Sequence, residues 1–269
     1  MMGPSHALSG AAVWLAGSWA LDYYNVYHQT PLELAVGAAV CAGGALLPDL
    51  DMSGKVVSGE GGATVANTFG RVSLFLAEVV EKLSLGVYTL TRMRDDPDRD
   101  NGHRTLTHTL PFTVGVGVLT TWACSAGGSW AVIGILFVML GLALRGLFHT
   151  WAEKAGWVMI TALSGVAAFG TYLFLPADRG YPMLGLAVGV GCFVHLLGDV
   201  ITSAGVPILW PLPTGRRMWR MIGVPNIFAV SVGGKVERIV LRGLFTVISI
   251  AATLGLIGPA LLEKFQVRL

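Results

Sequence analysis

Histidines and aspartates recur at the edges of apolar stretches in this chain, at spacings that suit cation ligation. In HLLGD, His195 and Asp199 stand four residues apart, so a helix puts both on one face. Imidazole and carboxylate together suit zinc, and also manganese or iron. In LLPDLD, Asp49 and Asp51 follow Pro48, which removes a backbone donor and biases Leu47 away from helix. The helix should end or kink there. Two carboxylates are then left near the negative end of a helix dipole, a conflict that a bound cation removes. In GHRTLTH, His103 and His108 are five apart. Gly102 releases His103 into a loop, while His108 is expected in the first turn of the next helix, so both can face one pocket. Arg104 beside them suits a phosphate or a carboxylate. His6, near the start, and His149, in LFHTW, complete the candidates.

Each motif has a plainer reading. HxxxD on an apolar helix can be a hydrogen-bonded polar pair. PDLD can be a helix stop followed by a turn. GHRTLTH can be a basic segment that binds anionic lipid headgroups. His149 reads better as a supporting or interfacial residue than as a ligand, and His6 as a polar N-terminal residue.

The elements that must position these residues are membrane helices. Of 269 residues, 54% are hydrophobic and 13% charged, and mean hydropathy is +0.66. Soluble domains carry about 25% charged residues. Seven apolar segments stand out, at 7–21, 32–48, 109–125, 130–148, 157–175, 182–199 and 243–262. Trp19, Tyr23, Tyr24, Trp130 and Trp157 mark their ends at headgroup level. Segment 72–91 is interrupted by Glu78, Glu81 and Lys82. Charge at mid-bilayer is costly, so it reads as an amphipathic helix lying on the membrane, with Glu78 and Glu81 on one face. The expected fold is therefore all-α: a polytopic bundle of about seven transmembrane helices plus one interfacial helix. It forms a single domain over 1–269, with a core at 1–213, a basic loop at 214–242 and a last helix at 243–262. Cys41, Cys124 and Cys192 lie inside apolar runs and read as small buried hydrophobes. The N-terminus lacks the basic start of a cleaved signal peptide and is expected to remain. A net charge of +2 gives no case for nucleic acid.

With a cytoplasmic N-terminus, 15 of the 18 basic residues fall inside, in the connections 49–108 and 200–242 and in the turn after the fourth segment. Only Arg179, Lys264 and Arg268 fall outside. The same topology gathers His6, Asp49, Asp51, His103, His108, His149, His195 and Asp199 at the cytoplasmic end, leaving His28 alone on the other side.

Three stretches together, LLPDLD, GHRTLTH and HLLGDVITSAGVPILWPL, resemble the YdjM-like membrane-bound metal-dependent hydrolases of bacteria and archaea. The similarity spans residue 1 to about 213, with His6 matching the family's early histidine. Met52 stands where some relatives have a histidine. That family is grouped distantly with zinc-dependent phospholipase C and S1/P1-type nucleases, all-helical phosphoesterases with a multi-zinc cluster. The resemblance implies a phospholipase C-like site, with metal-ligand roles on His6, Asp49, Asp51, His103, His108, His195 and Asp199.

The expected function is a metal-dependent hydrolase at the cytoplasmic face of the inner membrane. It is expected to act as a phosphoesterase on a phospholipid or other amphiphilic phosphate. Zinc is the expected ion, with two or three ions accommodated by seven ligands. Asp49 or Asp51 would serve as base or bridge, and Arg104 would balance phosphate charge. The competing expectations are an ion transporter, whose polar residues would line a path through the bilayer, and a membrane scaffold with a structural metal. A metallopeptidase is disfavoured because HExxH is absent. The proline-rich GVPILWPLP stretch is expected to close the site or to form a stiff loop.

Overall fold

The computed structural model describes residues 1–53 and 64–266, with side chains except those of 178–180 and 259–266. Lys55 and Arg268 lie outside the described residues, as do the side chains of Arg179 and Lys264. Among the described residues the chain forms eight α-helices. These are α1 (Gly3–Tyr23), α2 (Pro31–Gly44), α3 (Arg71–Thr91), α4 (Leu110–Ala126), α5 (Gly128–Leu147), α6 (His149–Phe174), α7 (Ala177–Val200) and α8 (Arg242–Gln266). Two 3₁₀ turns, Leu47–Asp51 and Leu106–His108, carry site residues, and a π turn, Val236–Leu241, leads into α8. The only β pairing among the described residues is two isolated bridges, Val206 with Ile222 and Thr214 with Arg217.

Local chemistry sets the boundaries near the site. The Thr30 hydroxyl accepts from the Glu33 N–H while the Thr30 N–H donates to the Glu33 carboxylate, a reciprocal cap that starts α2 with Pro31 in its first turn. The helix ends at Gly44, and Pro48 opens the 3₁₀ turn that follows, as its position predicts. His108 sits in a separate 3₁₀ turn rather than in the first turn of a helix, because the Thr109 side chain caps α4 after it. His149 opens α6 rather than ending the preceding segment, since Phe148 breaks the helix. A kink at Gly156, where φ is 77°, sets off the first turns of α6 from an apolar stretch that begins at Trp157.

Helix α2 packs on α1, α5 and α7, and α4 pairs with α7. Glycines bring these backbones together. A Cβ on Gly191 would meet the Cys41 carbonyl at 2.3 Å, and one on Gly10 would meet the same carbonyl at 2.7 Å. Small residues permit this approach between membrane helices, where van der Waals packing holds the bundle. Away from these contacts, Val114, Val118 and Trp122 on α4, Val166 and Phe174 on α6, and Val247 and Leu254 on α8 are exposed. Patches of this kind belong against hydrocarbon.

Among the described residues, five stretches are long and apolar enough to cross a membrane: Pro31–Asp51, Gly128–Leu147, His149–Phe174, Tyr181–Val200 and Val236–Gly258. Of the two other expected spans, α4 is apolar but has only 17 residues. Helix α1 is long enough, but it carries Ser5, His6, Ser9 and Ser18, all buried inside the bundle.

Helix α3 is not among the five. It packs against the two 3₁₀ turns. Its buried face is Ser73, Ala77, Glu81, Ser84 and Tyr88, while Val72, Phe75, Leu76, Leu83 and Leu90 are exposed. Glu81 turns inward but Glu78 turns outward, so the two do not share an environment.

Candidate metal centre

The last two turns of α7 present His195 and Asp199, both fully buried. The His195 Nδ1–H donates to the Ala45 carbonyl at 2.7 Å, where α2 gives way to the PDLD turn. That bond fixes the tautomer and leaves the Nε2 lone pair free. His108 is held in the same way from the other side. Its Nδ1 lies 2.9 Å from Thr107 Oγ1, and the Thr107 hydroxyl in turn donates to Asp51 Oδ2 at 2.6 Å. His108 Nε2 is thereby also bare.

These two Nε2 atoms lie 3.2 Å apart. Two lone pairs facing at that distance repel unless a proton or a metal cation sits between them. Two carboxylate oxygens close the same space. Asp49 Oδ1 lies 3.8 Å from His108 Nε2 and 3.6 Å from His195 Nε2. Asp199 Oδ2 lies 3.7 Å and 3.8 Å from the same nitrogens. A tetrahedral ion with ligand bonds of 2.0–2.1 Å sets its ligand atoms about 3.3 Å apart. The five separations above, 3.2–3.8 Å, lie near that edge length, and a modest contraction would seat such an ion.

His6 extends the cluster. Its ring stacks on His195 with centroids 3.7 Å apart, and its Nε2 lies 3.3 Å from Asp199 Oδ1. It is fully buried, yet neither ring nitrogen makes a hydrogen bond among the described residues. Orphaned buried nitrogens are costly, and ligation would satisfy one of them. Two trios have ligand atoms that all lie within 4.8 Å of one another: His6, His195 and Asp199, and Asp49, His103 and His108. The donor set, imidazoles and carboxylates, suits a divalent transition ion.

Asp51 stands behind these groups. It is fully buried and accepts from the His103 Nδ1–H at 2.8 Å, the Thr107 hydroxyl and the Arg104 backbone N–H at 3.1 Å. Burial opposes charge on His103, but the adjacent Asp51 carboxylate outweighs it and holds the His103 pKa above the ordinary histidine value. Arg104 has a positive φ of 56°, a conformation costly for a residue with a Cβ. Its Nη2 lies 3.0 Å from Asp199 Oδ2. The N-terminal amine also meets Asp199.

A cavity of about 460 Å³ opens onto this cluster, lined by Asp49, His103, Arg104 and His149 among apolar residues that include Met52 and Val232. From the 200–242 connection, Ala204 and Val232 reach it. No residue of the GVPILWPLP stretch lines that cavity; its Ile208 carbonyl accepts from the Leu110 N–H at 3.3 Å, and Trp210 stacks on Trp219 at 5.0 Å.

All seven ligand candidates and Arg104 therefore meet in one place, and His149 lines the cavity beside them. His28 pairs with Asp22 at the end of α1 remote from His6. Sequence reasoning missed three supports. Thr107 links His108 to Asp51. Glu81 accepts the Gly102 N–H at 3.0 Å and anchors the GHRTLTH loop to α3. Glu237, fully buried, takes the N–H groups of Met2 and Gly233, each at 2.7 Å, and so seats the start of α1. Glu81 carried a signal, as an acid inside an apolar run; the other two did not.

No curated protein and no solved structure matches the chain. A family model described as YdjM inner membrane protein matches residues 1–258. That description names a membrane location and no activity. The match takes in every helix that bears a candidate ligand, and the five apolar spans agree with it. The chain belongs to the YdjM inner membrane protein family.

Proposed function

We propose that the protein is a metal-dependent phosphoesterase working at the membrane surface. The observation that carries this reading is the facing pair of bare imidazole nitrogens, 3.2 Å apart, enclosed by Asp49 and Asp199. His6, Asp49, His103, His108, His195 and Asp199 would hold one or two divalent ions, zinc foremost, with manganese or iron as the alternatives. Asp51 would orient His103 directly and His108 through Thr107. A divalent ion, when bound, lowers the pKa of a water it holds and so supplies a nucleophile at neutral pH. Asp49 reaches the cavity and is placed to take the proton of an attacking water. Arg104 lines the same cavity and would meet the negative charge that grows on a phosphate.

The substrate inferred is an amphiphilic phosphate such as a phospholipid. The site lies at one end of a bundle of apolar helices, where headgroups would meet the protein, and the cavity combines Arg104 with apolar walls. The basic-residue bias favours the cytoplasmic side. The test is phosphate-ester hydrolysis by the zinc-loaded, detergent-solubilised protein. Turnover of phospholipid is expected, falling about 10²–10³-fold in Arg104→Ala. Metal-loaded protein that hydrolyses no phosphoester contradicts the reading, and metal-stimulated ion flux in liposomes without hydrolysis would identify a transporter instead.

A further inference from the structure

Helices α4 and α7 meet through glycine. A Cβ on Gly117 would stand 3.2 Å from both the Gly185 carbonyl and Gly189 Cα, and one on Gly185 would run into the Thr121 side chain. The two backbones therefore approach closely, while bulky side chains rise on either side. Val114, Val118 and Trp122 form the rim on α4, and Leu186 and Phe193 the rim on α7; all five are exposed. Between the rims lies a groove of about 720 Å³. That is within the range of ligand sites, roughly 300–1,000 Å³.

The lining suits an apolar occupant. Its two hydroxyls, on Thr113 and Thr121, donate to the carbonyls of Thr109 and Gly117 on their own helix, both at 3.1 Å. Among the described residues no charged side chain lines the groove. Its α7 wall belongs to Tyr181–Val200, a stretch apolar enough to cross a membrane, so hydrocarbon rather than water surrounds it. Along α4 the groove runs from Leu110 to Trp122, about 18 Å at 1.5 Å per residue. One leaflet supplies half of a hydrocarbon core about 30 Å thick. The groove thus has the length of a single lipid chain, whereas a partner helix would follow the bundle across both leaflets. One end lies at the depth of the metal centre, since Leu110 is two residues beyond His108 and Phe193 two before His195.

We propose that the groove between α4 and α7 is a binding site for one acyl chain of a lipid in the leaflet on the metal-centre side. The headgroup end of that chain lies at the depth of the centre, and the binding holds whether or not the centre hydrolyses anything.

The test is native mass spectrometry of the full-length, detergent-purified protein, stripped of lipid and then incubated with palmitoyl-oleoyl phosphatidylglycerol or the matching phosphatidylcholine. Wild type should retain a single lipid per chain with either headgroup. A Cβ on Gly189 meets only Gly117 Cα at 3.5 Å and the Thr113 carbonyl at 3.7 Å, both ordinary contacts. Gly189→Ala should therefore keep the lipid, while Gly189→Phe, whose ring has to take up the groove, should lose it. Val118→Trp, a change at an exposed rim position that the fold tolerates, should lose it too. Val166→Phe, on an exposed face of α6 outside the groove, should not. Wild type that retains no lipid, the same retention in every variant, or equal loss in Val166→Phe would overturn the assignment. A protein dimer without lipid would also overturn it and give the groove to a second copy of the chain.

Discussion

A Cβ on Gly198 would meet Met1 Cε at 2.3 Å and stand 3.0 Å from His6 Cε1 and 3.1 Å from His6 Nδ1. The glycine of HLLGD is thus the space that lets His6 stack on His195. Gly198→Ala keeps every ligand but should tilt or displace the His6 ring and weaken zinc binding about 10–100-fold, the usual effect of disturbing a ligand's support. Isothermal titration of the metal-free protein would measure it, and unchanged affinity would remove His6 from the site. At this scale the ligand candidates were legible, because histidine and aspartate at the ends of apolar helices are conspicuous. Their division of labour was not. Asp49 and Asp51 look alike in PDLD, yet the 3₁₀ turn buries Asp51 fully and leaves the Asp49 side chain 15% exposed at the cavity. The Ala45 carbonyl and Thr107 were invisible for another reason. Their bonds to His195 and Asp51 cross 150 and 56 residues of sequence.

Helix α3 inverts the pattern of a helix on a soluble protein. Its small and polar side meets the two ligand-bearing turns, while Val72, Phe75 and Leu83 face outward, which suits a helix resting on a bilayer surface. Its amphipathic character was legible from Glu78, Glu81 and Lys82. The direction of its faces was not, because hydrophobic means buried only where water surrounds the protein. Had this stretch separated PDLD from GHRTLTH across the membrane, no shared site would form; instead His103 meets Asp51 at 2.8 Å. Glu81 supplies the anchor. Glu81→Ala leaves the Gly102 N–H without its acceptor in a buried setting, a cost of about 1–3 kcal/mol. It should lower thermal stability in detergent and loosen metal binding, whereas Glu81→Gln, which keeps a carbonyl oxygen, should retain most of both. Equal behaviour of the two variants would show that the Gly102 bond does not hold the loop.

For the whole molecule, an all-helical membrane bundle followed from charge scarcity and apolar runs, and family membership over 1–258 agrees with it. The count of spans was harder to read. Helix α1 hides its serines and His6 inside the bundle, so its composition understates how well it fits among membrane helices. Orientation is open to a direct check, since Cys41, Cys124 and Cys192 are all buried and give little labelling background. Arg220, exposed in the basic connection, is a suitable reporter. Arg220→Cys should react with a membrane-impermeant maleimide in inside-out vesicles and not in cells with an intact membrane; the reverse would put the site on the outer face. The central claim is the metal centre, and elemental analysis of the detergent-purified protein tests it most directly. One or two equivalents of zinc or manganese per chain, lost in the His195→Ala, Asp199→Ala variant, is the predicted result. No bound metal after reconstitution with divalent ions, or metal unchanged in that variant, would contradict it.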